Sequence, residues 1–434
     1  MKTLEYPQFD EILYTETLEN GLKVNILPRK GFHKTYGIFT TNYGSVDSVF
    51  VPIGEEEMIH VPDGIAHFLE HKMFEKADHD AFDLFGEYGA SANAFTSFTR
   101  TSYLFSSSNH IPENIETLLD FVQDPYFTPE TVEKEKGIIG QEIQMYDDDP
   151  NWRLYFGILG NLYPNHPVSS DIAGTIESID KITADDLYKC YETFYHPSNM
   201  NLFIVGNVDP EETLALIKAN QGRKNFPEAA ESIKRSIPEI QVDGSDIMPY
   251  RATEMEIQRA KTIVGIKGLD DVPEGRDGLK YKETIHMLLY LLFGDTAPQY
   301  MKLYDEGTLD DSFGYEFEIE RGFHFASISG DTDNPQKLSD AIINILENAA
   351  DYLADADAQF ELAKREMLGQ SIQSMNSLES IANQYDGDLF NDATVFDRAP
   401  IIENMTLDQV RQGAKDFIRS EAISVYQIMA KEDK

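Results

Sequence analysis

The sequence predicts an α+β fold that occurs twice along the chain. Three observations support this prediction: short runs with strand-like alternation, longer runs with a helical period, and an internal repeat that resumes after a polar segment. The length of 434 residues is also too great for one compact core, so at least two domains are expected.

The first half mixes strand patterns with helical patterns. Strands are predicted where β-branched and aromatic residues alternate or form short apolar runs, at residues 22–27, 35–43, 201–206 and as a pair across 91–107. Helices are predicted where apolar residues recur every three to four positions, at residues 64–76, 82–88, 112–123 and 131–147. Asp63 is well placed to be the N-cap of the first of these helices.

A polar stretch with prolines at 227 and 238 divides the chain. It predicts a first domain at 1–222, a linker at 223–246 and a second domain at 247–434. After the linker the pattern begins again, with a strand-like segment at 253–268 and an apolar helix at 282–294. A final strand at 423–430 corresponds to the one at 201–206.

A shift of 219 positions aligns the two halves. It places His67 on His286, whereas Glu70 falls on Leu289 and His71 falls on Tyr290. The apolar positions of the helix persist while its polar residues change, which predicts two similar domains with chemistry only in the first. His286 is then interpreted as a core or rim histidine. Chance similarity of two buried helices is the alternative.

Charge and cysteine content limit the classes of function. Lys+Arg is 36 against Asp+Glu 76, a formal net charge of -40. Such a surface repels nucleic acid and anionic lipid and attracts basic peptides, although solubility alone also explains it. We predict no membrane span and a cytoplasmic location, because no apolar run is long enough to cross a bilayer and no signal-peptide core is visible. The single cysteine, Cys190, fits a reducing compartment.

The candidate chemistry lies in an H-x-x-E-H segment that runs from His67 to His71. A helix places residues i and i+4 on one face, roughly 6 Å apart, so both histidines can bind one ion. Glu70 lies beside them, where it can deprotonate a water without being a ligand. Composition alone gives roughly 0.04 such matches by chance. The alternative is an ordinary amphipathic helix with two partly exposed histidines.

Catalytic zinc takes three protein ligands and keeps a fourth position open. Glu135 and Glu142 lie on a predicted helix seven residues apart, about two turns, so both side chains can face the same way. One carboxylate could complete a set of two histidines and one glutamate, with the other carboxylate behind it. Acidic residues are abundant in this chain, so two solvated glutamates are the alternative.

Together, the H-x-x-E-H order and the E-x6-E helix resemble the M16 metallopeptidases, the family of insulinase, pitrilysin and the mitochondrial processing peptidase. Glu142 follows His71 by 142 − 71 = 71 residues, which suits the third ligand of that family. The chain is most similar to the small-subunit bacterial branch. The resemblance implies that His67, His71 and Glu142 bind Zn2+, that Glu70 is the general base, and that Glu135 orients the site from behind.

The resemblance extends to residues 89–97, which are similar to the edge strand of the family. It implies that Asn93, Ala94 and Phe95 bind an extended substrate, with the Asn93 side chain on a substrate carbonyl. The fold implied is two homologous α/β-sandwich domains, each an antiparallel-rich sheet plus helices, that form half of a clamshell.

One region departs from the family pattern. Tyr315 matches a substrate-binding tyrosine of the second domain, although packing within a strand also explains it. Tyr304 stands where many relatives have an arginine. A heterodimer with an M16 paralogue that lacks the metal site and supplies this arginine is therefore expected, and a homodimer is the alternative.

The function predicted from these residues is zinc-dependent hydrolysis of peptide bonds. The substrates would be short or unfolded peptides, added as an edge strand within a closing chamber. A non-catalytic or weakly active scaffold subunit of an M16 heterodimer is the main alternative, and a metal-dependent hydrolase of other specificity is a third. The intact motif and Glu142 favour the peptidase, since a scaffold has no use for Glu70.

Overall fold

The structure is a computed structural model that describes residues 1–227, 232–384, 389–390 and 393–431. It divides into two compact units. The α+β class predicted from the sequence is confirmed, because each unit combines a sheet with packed helices. No helix within those ranges is both long enough and apolar enough to span a bilayer.

The predicted strands are present to within a few residues, except that the single run at 253–268 is two strands. The strands of the structure are Lys2–Tyr6 (β1), Glu11–Thr17 (β2), Lys23–Pro28 (β3), Thr35–Thr41 (β4), Val49–Phe50 (β5), Ile59–His60 (β6), Ser91–Thr96 (β7), Thr101–Ser107 (β8), Met200–Gly206 (β9), Tyr250–Met255 (β10), Ala260–Lys267 (β11), Gly314–Glu320 (β12), Phe323–Thr332 (β13) and Ile423–Ala430 (β14). Six of these strands were not predicted, namely β1, β2, β5, β6, β12 and β13.

The helices include every one that the apolar periods predict. They are Ile65–Lys72 (α1), Ala81–Glu87 (α2), Ile111–Val122 (α3), Pro129–Asp148 (α4), Pro150–Leu162 (α5), Ile176–Ile179 (α6), Ala184–Phe194 (α7), Pro210–Gln221 (α8), Gly275–Phe293 (α9), Pro298–Asp305 (α10), Pro335–Glu347 (α11), Ala349–Ala354 (α12), Asp357–Ser374 (α13), Leu378–Asn383 (α14), Val395–Glu403 (α15) and Leu407–Phe417 (α16).

The sheet of the first unit has the order β1-β2-β3-β9-β4-β8-β7 over the described residues. Strand β9 runs parallel to β3 and antiparallel to β4. It can occupy the middle of the sheet because its residues 202–206 are buried on both faces. Strand β7 ends the sheet and pairs with β8, so one side of its main chain is at the edge.

The sheet of the second unit has the order β10-β14-β11-β13-β12. Its pairing repeats that of β3-β9-β4-β8-β7: the first pair is parallel and the next three pairs are antiparallel. In both units the strand that is last in the chain lies second in this order. The predicted homology of the two halves is therefore confirmed at the level of topology.

Packing does not follow the chain in two contiguous blocks. The first unit contains residues 1–144, 171–237 and 375–384, whereas the second contains 145–170, 238–374 and the described residues from 389 onward. Helix α5 accordingly packs on β11 and β14 of the second sheet, and α14 packs on β4 and β9 of the first. The contiguous boundaries at 222 and 247 stay a prediction, and residues 228–231 of the predicted linker lie outside the described residues.

The linker residues next to that gap are anchored to the first unit. Main-chain hydrogen bonds join 234 and 236 to β5 and its neighbour: the N–H of Val51 donates to the carbonyl of 234, and that of 236 donates to the carbonyl of Val49. Between them, Nη1 of Arg235 lies 2.9 Å from Oδ1 of Asp47, whose side chain is fully buried. The ion pair therefore holds the middle of the predicted linker against the core of the first unit.

Replacing this guanidinium is expected to destabilise the protein. Arg235→Ala should lower the free energy of unfolding by about 3–5 kcal/mol, because it leaves a buried carboxylate without its cation. Urea denaturation measures this change. Arg153→Ala is the matched control, since Arg153 pairs with Asp147 at the surface, where loss of an ion pair costs less than about 1 kcal/mol. Equal changes in the two variants would contradict the anchoring role of Arg235.

Candidate metal centre

Helix α1 presents the two histidines of the motif on one side. Its opposite side is apolar and buried through Ile65, Phe68 and Leu69, which fixes the orientation of the helix. The imidazole rings of His67 and His71 therefore lie next to each other, with 4.6 Å between ring centroids. The side chain of His67 is 12% exposed and that of His71 is 27% exposed.

The start of α1 differs from the prediction. Asp63 is not the N-cap; that position is taken by Gly64, which has a φ of 90°. A side chain there would also collide with the chain, since a Cβ on Gly64 would lie 2.4 Å from the carbonyl oxygen of Ala173. Asp63 instead accepts a hydrogen bond at its carbonyl from the Ser178 hydroxyl, at 2.8 Å. Close packing against 173–178 thus decides where α1 begins.

Helix α4 brings a carboxylate to both histidines. Nε2 of His67 lies 3.8 Å from Oε1 of Glu142, and Nε2 of His71 lies 3.5 Å from Oε2 of Glu142. The possible ligand atoms of these three residues all lie within 4.8 Å of one another. Two imidazole nitrogens and one carboxylate oxygen are the donor set of many catalytic zinc sites, in which water takes the fourth position.

The spacing fits a zinc ion. Ligand atoms held at about 2.0–2.2 Å from zinc in tetrahedral geometry lie about 3.3–3.6 Å apart. The His71–Glu142 distance falls in this range, and the His67–Glu142 distance exceeds it by a few tenths of an ångström. Burial, followed by the nearby charge of His71, lowers the pKa of His67 to about 4. His67 is therefore neutral at pH 7, the form that binds a metal.

Glu135 contacts His71, and its orienting role stays a prediction. Oε1 of Glu135 is 3.1 Å from Nδ1 of His71, so an Nδ1–H that donates to this carboxylate leaves Nε2 free to face Glu142. Burial alone would lower the pKa of His71, but the Glu135 hydrogen bond and the charge of Glu70 outweigh burial and raise it. Nδ1 of His67, by contrast, is buried without a hydrogen-bond partner among the described residues.

Glu70 is buried beside the three candidate ligands and is not one of them. Burial raises the pKa of its carboxyl group, and a hydrogen bond from Thr96 partly opposes this effect. That bond runs from the Thr96 hydroxyl to Oε2 of Glu70 over 2.6 Å. A carboxylate with a raised pKa is a better proton acceptor near neutral pH, which is what a general base requires.

Thr96 is a site residue that the sequence did not assign. It belongs to the same segment as Asn93, Ala94 and Phe95, but only those three received a role. Strand alternation could have indicated it, because side chains two residues apart lie on the same face, which groups Thr96 with Ala94. Locating Glu70 on that face required the packing of α1 against β7.

The edge strand β7 carries Asn93, Ala94 and Phe95. The hairpin that follows it closes with the N–H of Ser97 donating to the carbonyl of 100, over 2.8 Å. Hydrogen-bonded pairs alternate along an antiparallel ladder, so 95 and 93 bond to β8 whereas 96, 94 and 92 direct their main-chain groups outward. The N–H of Ala94 accordingly donates to Oδ1 of Asn93 and not to β8. A binding role for these three residues stays a prediction.

Tyr315 belongs to the second unit, on its edge strand β12. Its ring packs 6.4 Å from that of Phe293, and burial raises the pKa of its hydroxyl. These contacts support the alternative interpretation, in which Tyr315 packs within the strand. A role of Tyr315 in substrate binding stays a prediction. Tyr304 is exposed and donates to Oδ1 of Asp311 over 3.2 Å.

The second unit lacks counterparts of the candidate site residues Glu70 and His71. In α9, Leu289 is buried in the apolar core at the position that corresponds to Glu70. His286 lies 3.9 Å from Glu283, whose buried carboxylate accepts a hydrogen bond from Nε of Arg398 over 2.7 Å. Among the described residues, His67, His71 and Glu142 are the only group of three that could bind a metal.

This fold and this site together are typical of metallopeptidases of the inverted H-x-x-E-H type. Comparison with known proteins gives the family. Residues 48–176 match the family described as Insulinase (Peptidase family M16). Residues 181–367 match the one described as Peptidase M16 inactive domain. The chain belongs to the M16 peptidase family, as its motif predicted.

Full-length relatives support the same assignment. The chain is 50% identical over 431 residues to "Uncharacterized zinc protease YmfH" of Bacillus subtilis, covering 99% of this chain and all of that protein. It is similar to the crystal structure of an M16-like protein from Alicyclobacillus acidocaldarius, with TM-score 0.92, 35% identity and coverage of 99% and 100% of the two chains. A protease from Helicobacter pylori shares the fold, with TM-score 0.81, 20% identity and coverage of 96% and 99%.

Proposed function

We propose that this chain is a zinc-dependent endopeptidase that hydrolyses peptide bonds in short or unfolded peptides bound along β7. One juxtaposition supports this function: a set of two histidines and one glutamate lies next to a buried glutamate that is hydrogen-bonded to the end of an edge strand. A scaffold subunit would need the strand but neither the ligand set nor Glu70.

His67, His71 and Glu142 would hold the zinc ion, with Glu135 fixing the orientation of His71. When bound, zinc supplies Lewis-acid activation of water and of the scissile carbonyl. Glu70 accepts a proton from the attacking water as the new carbon–oxygen bond forms. It then delivers that proton to the departing amide nitrogen as the carbon–nitrogen bond breaks, so the same carboxyl group acts first as base and then as acid.

Strand β7 would hold the substrate. The outward main-chain groups of Ala92, Ala94 and Thr96 can pair with an extended peptide as an additional strand. Such pairing recognises the main chain, so many sequences can bind and side-chain contacts only add selectivity. Folded proteins have few free extended segments, which limits the substrates to short or unfolded chains.

The proposal also covers the partner subunit, the charge of the substrates and the compartment in which the protein works. Tyr304 stands where the resemblance to the M16 family implies an arginine, which favours a heterodimer with an M16 paralogue that lacks the metal site. A net charge of -40 favours basic peptides, and the single cysteine, which is buried, favours a reducing compartment such as the cytoplasm. Mixing the chain with such a paralogue should raise peptidase activity, whereas full activity of the chain alone would favour a homodimer.

Incubation with an unstructured peptide tests the activity. The zinc-loaded chain should cut a quenched fluorescent peptide at internal bonds, seen by mass spectrometry of the products, and should leave a compact folded protein uncut. Chelator-treated protein is the blank, and zinc added back should restore cleavage. Cleavage that persists without metal would contradict the proposed function. So would a lack of cleavage both by the zinc-loaded chain alone and by its mixture with the paralogue.

A further inference from the structure

We infer that Thr96 is a positioning residue for Glu70, which holds one carboxylate oxygen so that the other receives the proton. This inference rests on the proposed function and extends it to a residue outside the metal-binding motif. The hydroxyl of Thr96 donates to Oε2 of Glu70 over 2.6 Å, a short and charge-assisted hydrogen bond. Oε1 remains the oxygen available to the reacting water.

The hydroxyl of Thr96 is held in a fixed place. Threonine is branched at Cβ and has few χ1 rotamers. The chain that follows is pinned in a tight hairpin, in which the hydroxyl of Ser97 accepts from the N–H of Arg100 at 3.2 Å and of Thr99 at 3.4 Å. Across the strands, Thr101 donates to the carbonyl of Tyr43 over 2.9 Å. These contacts fix the position of the Thr96 hydroxyl relative to the Glu70 carboxylate.

Thr96 also belongs to the edge that would bind the peptide. Its main-chain groups point outward by the alternation of the β7–β8 ladder, while its side chain reaches Glu70. One residue would thus fix both the last main-chain position available to the peptide and the orientation of the base. Because a misplacement of about 1 Å can cost on the order of 100-fold in rate, a rigid link of this kind has a measurable effect.

Kinetics of hydroxyl and non-hydroxyl variants test this role. Thr96→Val keeps the branched shape and removes the donor, so kcat for the quenched peptide should fall about tenfold to 100-fold while KM changes less than about twofold. Thr96→Ser keeps the donor and should restore most of kcat. All variants should bind zinc at the wild-type ratio. Thr40→Val is the matched control, since the Thr40 hydroxyl pairs with Ser102 and not with Glu70.

Three results would overturn the inference. Thr96→Val could lose its zinc, its kcat could equal that of Thr40→Val, or the kcat of Thr96→Ser could be no higher than that of Thr96→Val. A second measurement does not need activity. In the metal-free chain, Thr96→Val should lower Tm in the wild-type background and much less in a Glu70→Ala background. Equal Tm shifts would show that the hydroxyl does not act on Glu70. A wild-type chain without activity would instead contradict the proposed function, and the Tm comparison would still decide the contact.

Discussion

Glu70→Gln is expected to lower kcat for peptide cleavage at least about 1,000-fold, within the range for loss of a general base. The amide has the size of the carboxylate and its oxygen can still accept from Thr96, so the geometry of the site is kept. It cannot take a proton from water at neutral pH. The variant should bind zinc and peptide as the wild type does, because Glu70 is outside the ligand set.

Three measurements define this result: kcat, KM and zinc per chain. Glu87→Gln is the matched control, since Glu87 is exposed at the end of α2 and should have wild-type kinetics. Near-normal kcat in Glu70→Gln would exclude Glu70 as the base. Loss of zinc from the same variant would instead assign Glu70 to the metal-binding set.

Glu142→Gln is expected to remove most of the bound zinc. Loss of an outer partner of a zinc ligand costs about 10–100-fold in metal affinity, and loss of a charged ligand should cost more than this. Glu142 is the carboxylate near both imidazoles, so its replacement leaves two imidazole nitrogens and a weak amide oxygen as ligands. Zinc affinity, measured by competition with a chromogenic chelator, should therefore fall more than about 100-fold.

Two other glutamates on α4 give the comparison. Glu135→Gln removes the partner of His71 and should lower zinc affinity by only about 10–100-fold. Glu133→Gln should have no effect, because the Glu133 side chain is 72% exposed and pairs with Lys136. If Glu135→Gln proved more damaging than Glu142→Gln, the assignment of ligand and supporting residue would have to be exchanged.

The sequence predicted the parts of the site that lie within one element. His67 and His71 are four apart, so helical geometry alone puts them on one face. Glu135 and Glu142 share a face of α4 for the same reason, and the structure places them beside α1. Choosing Glu142 over Glu135 as the ligand came from the resemblance to the M16 family, because spacing within α4 does not distinguish them.

The parts that depend on packing between distant segments were not predicted. Gly64 begins α1 because 173–174 lies against it, and nothing near Gly64 in sequence indicates this neighbour. The bond between Thr96 and Glu70 joins a strand to a helix 26 residues away. The packing of α5 and α14 could not be predicted either. Each helix is apolar on one side, but the sequence pattern does not indicate which sheet that side covers.

The position of α14 has a consequence for how the protein is made. All candidate site residues of the first unit have been synthesised by residue 142, yet the face of β4 and β9 that α14 covers stays open until residues 378–383 emerge. Domains usually fold in turn as they leave the ribosome. Here α5 must also wait for β11 and β14, which end at residue 430. The nascent chain therefore carries its candidate metal ligands for most of translation before either unit can be completed.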